Sequence, residues 1–95
     1  MTGIMFSSET KARDISLFLP GEMPEELFWL LVEISPIHSA KIIGALYDFL
    51  VIGLSRKEIY RRQKISPGHF SSALGKFQRT SFVVNQLSQY YKKSI

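Results

Sequence analysis

Two serines eleven positions apart constrain this chain more than anything else in it. Ser55 opens Ser55-Arg56-Lys57-Glu58, a capping box in which serine and a glutamate three residues on satisfy orphan N–H groups at a helix start. Ser66 opens Ser66-Pro67, an N-cap followed by the residue best suited to the first helical position. Two helices therefore begin within one stretch, SRKEIYRRQKISPGHFSSALGKF, with a break of about three residues between them. Ile59, Ile65, Phe70, Leu74 and Phe77 fall where a helix-turn-helix buries its inner faces. Ile59 belongs to the supporting helix, Ile65 to the turn, and the other three lie beneath the second helix. Lys64 stands where glycine often takes the left-handed turn, at a cost of roughly 1 kcal/mol for any other residue. Tyr60 stands where a small residue usually lets the helices approach, which predicts a more open hairpin.

The remaining start and stop signals extend this reading. Pro20-Gly21 marks a turn. Pro24 suits the first position of a helix over 24–34, Glu25 and Glu26 complement its dipole, and Pro36 ends it. Ser39 caps a helix over about 40–52 that stops at Gly53. The helix from Ser66 runs to about Arg79, and a last one spans Ser81 to Tyr91. No alternating pattern of four residues demands a strand. The expected fold is all-α, a compact domain of about five helices with the helix-turn-helix at about 55–79. Residues 1–17 read as a poorly ordered arm, with a short helical or extended piece near Ile15 to Leu19, and 18–95 as a single helical domain.

Charge is divided unevenly. Residues 1–52 carry three basic and seven acidic groups, giving −4, whereas 53–95 carry nine basic groups against Glu58 alone, giving +8. One half is thus suited to a polyanion. A helical hairpin with an apolar inside and a basic outside is what docking on DNA requires, because phosphate neutralisation supplies most of the affinity. Lys57, Arg61, Arg62, Lys64, Lys76 and Arg79 are the candidate phosphate contacts, with Tyr60 beside them. Gly68 would let the backbone approach a groove wall, and His69, Ser71 and Ser72 would reach phosphate or base edges. The second helix's outer face is short: Pro67, Gly68, Ser71, Ser72. Direct base reading favours long Arg, Lys, Asn or Gln side chains, so this face argues against a base-specific recognition helix of the usual kind and is compatible with backbone and shape reading, where arginines enter a narrow AT-rich minor groove. Arg56, on the unfavourable end of a helix dipole, is the candidate for insertion there.

Other classes are excluded or ranked lower. Without cysteine there is no disulfide scaffold and no zinc knuckle, and two isolated histidines make a poor metal site. No secretion signal is seen, and the longest nearly uncharged stretch, Ile42 to Leu54, is 13 residues, short of the roughly 18–20 a membrane helix needs. The expectation is a soluble, intracellular chain with no membrane partner. No catalytic constellation is present, and Gly75-Lys76 lacks the rest of a phosphate loop, so neither an enzyme, a cofactor nor a small-molecule ligand is inferred. Two consecutive helices apolar nearly all round exceed what so small a fold can hide, which favours self-association as a dimer or higher oligomer. Leu27, Phe28, Trp29 and Leu31 are the expected contact residues. The rival is an adaptor whose basic half meets an acidic protein. RNA binding ranks third, since the basic half lacks clustered stacking aromatics.

At these residues the chain resembles the PapB/FocB-type regulators of bacterial fimbrial adhesin operons. The resemblance spans about residues 18–91, and its most specific pieces are LPGEM, ISPIHS, GLSRKE and GHFSSALG. It implies a helix-turn-helix protein that binds DNA near fimbrial promoters. It further implies several copies side by side on AT-rich repeats, read largely from the minor groove, in the bacterial cytoplasm at the nucleoid. The arm before Leu17 lies outside it.

Overall fold

Four helices make up the structure, a computed structural model that describes residues 18–94 of the chain. They are α1 (Glu25–Ile34), α2 (Ala40–Tyr47, continued by a π-helical turn over Asp48–Ile52), α3 (Arg56–Gln63) and α4 (Pro67–Ser94). No strand occurs among the described residues. The expected arm over 1–17 lies outside the described residues.

The caps form as their residue types dictate. Ser39 accepts from the Ile42 N–H at 3.3 Å, Ser55 from Glu58 at 3.2 Å and Ser66 from His69 at 3.2 Å. Pro24 sits one position earlier than the sequence suggests: it is the N-cap of α1, its carbonyl accepting from Phe28 at 3.0 Å. The count of five helices is corrected to four. The helices expected over 66–79 and 81–91 are one continuous α4 of 28 residues. Thr80 does not break it, because its hydroxyl donates to the Lys76 carbonyl one turn back at 3.1 Å and no glycine or proline lies between Lys76 and Tyr91.

The α2 terminus explains the Pro20-Gly21 turn. Gly53, left-handed at φ 95°, donates to the Asp48 carbonyl five residues back, at 2.9 Å. That wide turn leaves the Phe49 and Leu50 carbonyls without their helical donors. Gly21 and Met23 supply the missing N–H groups, each at 3.0 Å. Gly21 is itself left-handed at φ 76°, and an added Cβ there would stand 3.3 Å from the Gly53 Cα. Both glycines are needed for this close approach. The segment before the turn is held by Gln78 on α4, whose side chain accepts from the Phe18 N–H and donates to its carbonyl, both at 3.3 Å.

The core lies where α1, α2 and the α3–α4 pair meet. Phe28, Phe70, Phe77, Leu31, Leu46, Leu50 and Ile59 are its largest fully buried side chains. Phe28 packs on Phe77 with ring centroids 5.2 Å apart, joining α1 to α4. This corrects part of the expected subunit contact. Phe28 and Leu31 point inward and are buried, and Leu27 is half-buried against the core. Trp29 alone of the four is largely exposed, at 46%. The outer face of α1 carries Leu30 and Ile34 instead.

Candidate nucleic-acid interface

α3 and α4 are joined by a short turn and by contacts of Tyr60 and Arg56 with Phe70 and of Arg56 with Ser71. Ile59, Ile65, Phe70, Leu74 and Phe77, the five positions read as the hairpin's inner faces, are all buried. The turn between them, Lys64-Ile65-Ser66, is closed by Lys64 at φ 54°, ψ 50°, the one described non-glycine residue with positive φ, whose N–H donates to the Tyr60 carbonyl at 3.1 Å. The lysine thus does a glycine's work in the turn, and its side chain stays exposed. Tyr60 is half-buried and meets Phe70 edge-on at 6.0 Å. Gln63 donates to Asp48 at 3.1 Å, tying the end of α3 to the π-helical turn.

The basic residues are displayed around this unit. Arg56, Lys57, Arg61, Arg62, Lys64, His69, Lys76 and Arg79 are all exposed. Arg61 pairs with Glu58 at 2.6 Å, an exposed pair within one helix and therefore of small energetic weight. No described carboxylate pairs with Lys57, Arg62, Lys64, Lys76 or Arg79. Arg56 is held rather than free. Its guanidinium lies over the Phe49 and Phe70 rings at 5.2 and 5.4 Å, with the Ser71 hydroxyl at 3.5 Å. It thus bridges the start of α3 and the first turns of α4.

Ser71, Ser72, Lys76 and Arg79 share a shallow groove of about 440 Å³ on the outer face of α4. Pro36, from the α1–α2 connection, Gly75 and Thr80 complete it. Gly75 repeats the small-residue spacing of Gly68 and Ser71, a signal present in the sequence. Pro36 joins only through the fold. Open space surrounds Gly68, where an added Cβ would meet nothing within 4 Å. Lys57, Arg61 and Arg62 are on α3, so the candidate residues divide between two helices rather than lining one.

Between α1 and α2, Trp29 stacks on Tyr47 at 5.6 Å and donates to Glu25 at 3.3 Å. Partial burial and the Glu25 carboxylate beside it raise the Tyr47 hydroxyl above its ordinary pKa. Among the described residues no cluster of three or more His, Asp or Glu could hold a metal ion, and no helix is long and apolar enough to cross a membrane.

A family model described as PapB, adhesin biosynthesis transcription regulatory protein, matches residues 3–91. The match begins well before residue 18, where the sequence motifs start. The AFA-III adhesin operon regulatory protein of Escherichia coli is 51% identical over 75 residues, 79% of this chain and 74% of that protein. The F1845 adhesin operon regulatory protein of the same species is 52% identical over 73 residues, 77% of this chain and 86% of that one. The crystal structure of Escherichia coli FocB superposes with a TM-score of 0.78 at 41% identity, over 86% of this chain and 92% of that one.

Proposed function

This chain belongs to the PapB family of adhesin biosynthesis transcription regulatory proteins, and from that premise we propose that it controls an adhesin operon by binding AT-rich duplex DNA as an oligomer. The α3–α4 pair is the docking unit, a helix-turn-helix in role. The observation that carries the reading is the arrangement of charge on it: one apolar inner face buried in the core, and exposed cations on both helices with one carboxylate among them. Phosphates along a duplex are the polyanion that such a spread of point charges fits.

Reading is by groove shape. The first turns of α4 that would enter a major groove offer Gly68, Ser71 and Ser72, with Lys76 and Arg79 further along the helix, while Arg56 stands beside those turns with its guanidinium pre-positioned by two rings. A side chain already fixed loses less freedom when it enters a narrow, strongly negative minor groove. The test is a titration of AT-rich and mixed-sequence duplexes. Arg56→Ala is expected to weaken the AT-rich duplex more than the mixed one, and Lys76→Ala to weaken both about equally. A minor-groove drug is expected to displace the protein, with guanine N7 methylation having little effect. Loss of binding on methylation alone would transfer the reading to His69, Ser71 and Ser72 in the major groove.

Lys64 offers a separate test, because its backbone strain and its charge can be uncoupled. Lys64→Gly relieves the left-handed strain and is expected to stabilise the fold by about 0.5–1 kcal/mol, raising the melting temperature by several degrees. Lys64→Ala keeps the strain and does not stabilise. Both are expected to lower the salt slope of DNA binding by about one. Unchanged DNA binding in both variants would remove Lys64 from the interface.

A further inference from the structure

We infer that the outer face of α1 is covered by the C-terminal turns of α4 from a second copy of this chain, in a reciprocal dimer; this deepens the oligomeric part of the reading above and rests on it. Val84 is the last residue of α4 packed against the core. Beyond and beside it the helix exposes Val83, Leu87 and Tyr91, spaced i, i+4, i+8 along one face, at 40%, 49% and 67%. A 28-residue helix is about 42 Å long, which matches the molecule's longest dimension of 43 Å. An isolated helical end of this length is marginal in water and gains its stability from a packed apolar face.

The matching surface lies on α1. Leu30 and Ile34 are exposed there at 64% and 61%, with Glu26 and Glu33 exposed on the same outer positions. Charge selects the pairing. α1 carries Glu25, Glu26 and Glu33 and no basic residue, whereas 81–94 carries Lys92 and Lys93 and no acidic one. Two outer α1 faces brought together would oppose four carboxylates, Glu26 and Glu33 from each copy, whereas α1 on the α4 end joins an acidic helix to a segment of net positive charge along an apolar seam.

Within one chain this contact cannot form. α1 lies on its own α4 through Phe28 and Phe77, so its outer face points away from that helix. The partner must come from another copy. Exchange in both directions under a two-fold axis closes the assembly, and the seam uses neither α3 nor the first turns of α4.

The chain has no cysteine, so single introduced cysteines report contacts cleanly. Leu30→Cys would be mixed with Val83→Cys, Leu87→Cys or Tyr91→Cys and oxidised with diamide, each variant first checked for parental helix content by circular dichroism. The expected result is a covalent species of twice the 10.9 kDa chain mass in at least one mixture, with little from either variant alone. Efficient cross-linking of an α4 variant by itself would establish an end-to-end helix pair instead, cross-linking of Leu30→Cys by itself an α1 pair, and either would overturn the inference, as would absence of any cross-link. Titrating the same variants with AT-rich DNA keeps the two readings apart: binding without the mixed cross-link sinks the dimer face alone, and a mixed cross-link without binding sinks the DNA reading alone.

Discussion

Phe70→Ala is expected to lose about 3–5 kcal/mol of stability, the usual cost of removing a fully buried phenylalanine and leaving its cavity. Phe70 is 0% exposed and joins α4 to two other elements. Its ring meets Phe49 of α2 edge-on at 5.5 Å and Tyr60 of α3 at 6.0 Å, and it lies under the Arg56 guanidinium. A domain of this size has only about 5–15 kcal/mol in total, so the variant is expected to melt roughly 15–30 °C below the parent. Thermal unfolding followed by circular dichroism checks it, with Lys76→Ala, exposed and unpaired, as the control that melts with the parent. If Phe70→Ala melted within a few degrees of the parent, the packing that joins α3 to α4 would be wrong.

The second large effect is on DNA affinity. Each phosphate neutralised contributes roughly 0.9 to the slope of log K against log salt. If Lys57, Arg61, Arg62, Lys64, Lys76 and Arg79 all contact phosphate, affinity is expected to fall on the order of 10³-fold between about 50 and 200 mM salt. Arg62→Ala, which breaks no ion pair, is expected to reduce the slope by about one, as one lost phosphate contact requires. Arg61→Ala is expected to have the same or a smaller effect, because Glu58 already offsets part of that charge. Fluorescence anisotropy at four or five salt concentrations reads both. A slope near zero would favour the adaptor reading, in which the basic half meets an acidic protein.

Local chemistry made the hairpin legible. Serine caps, a proline at the first helical position and an i, i+4 apolar pattern act within one or two turns, so Ser39, Ser55 and Ser66 each cap as their type suggests and the five inner positions are all buried. α1 was harder. Leu27 to Val32 is a run of apolar residues, so periodicity offers no contrast and Phe28 and Leu31 cannot be told from Leu30 before the helix is docked. The continuity of α4 through Thr80 turns on a hydroxyl bonding its own helix, an option serine and threonine share with capping. The Arg56 stack and the part Pro36 plays in the groove join residues 7 to 44 positions apart, and only the fold brings such pairs together.

A hydroxyl-radical footprint on DNA from upstream of an adhesin operon, taken across rising protein concentration, tests the central claim most directly. The expected pattern is protection confined at first to AT-rich repeats, spreading to neighbouring repeats as further copies bind, and competed away by AT-rich duplex more readily than by mixed-sequence duplex. Uniform cleavage at concentrations where the folded chain is in excess, or equal competition by both duplexes, would contradict it.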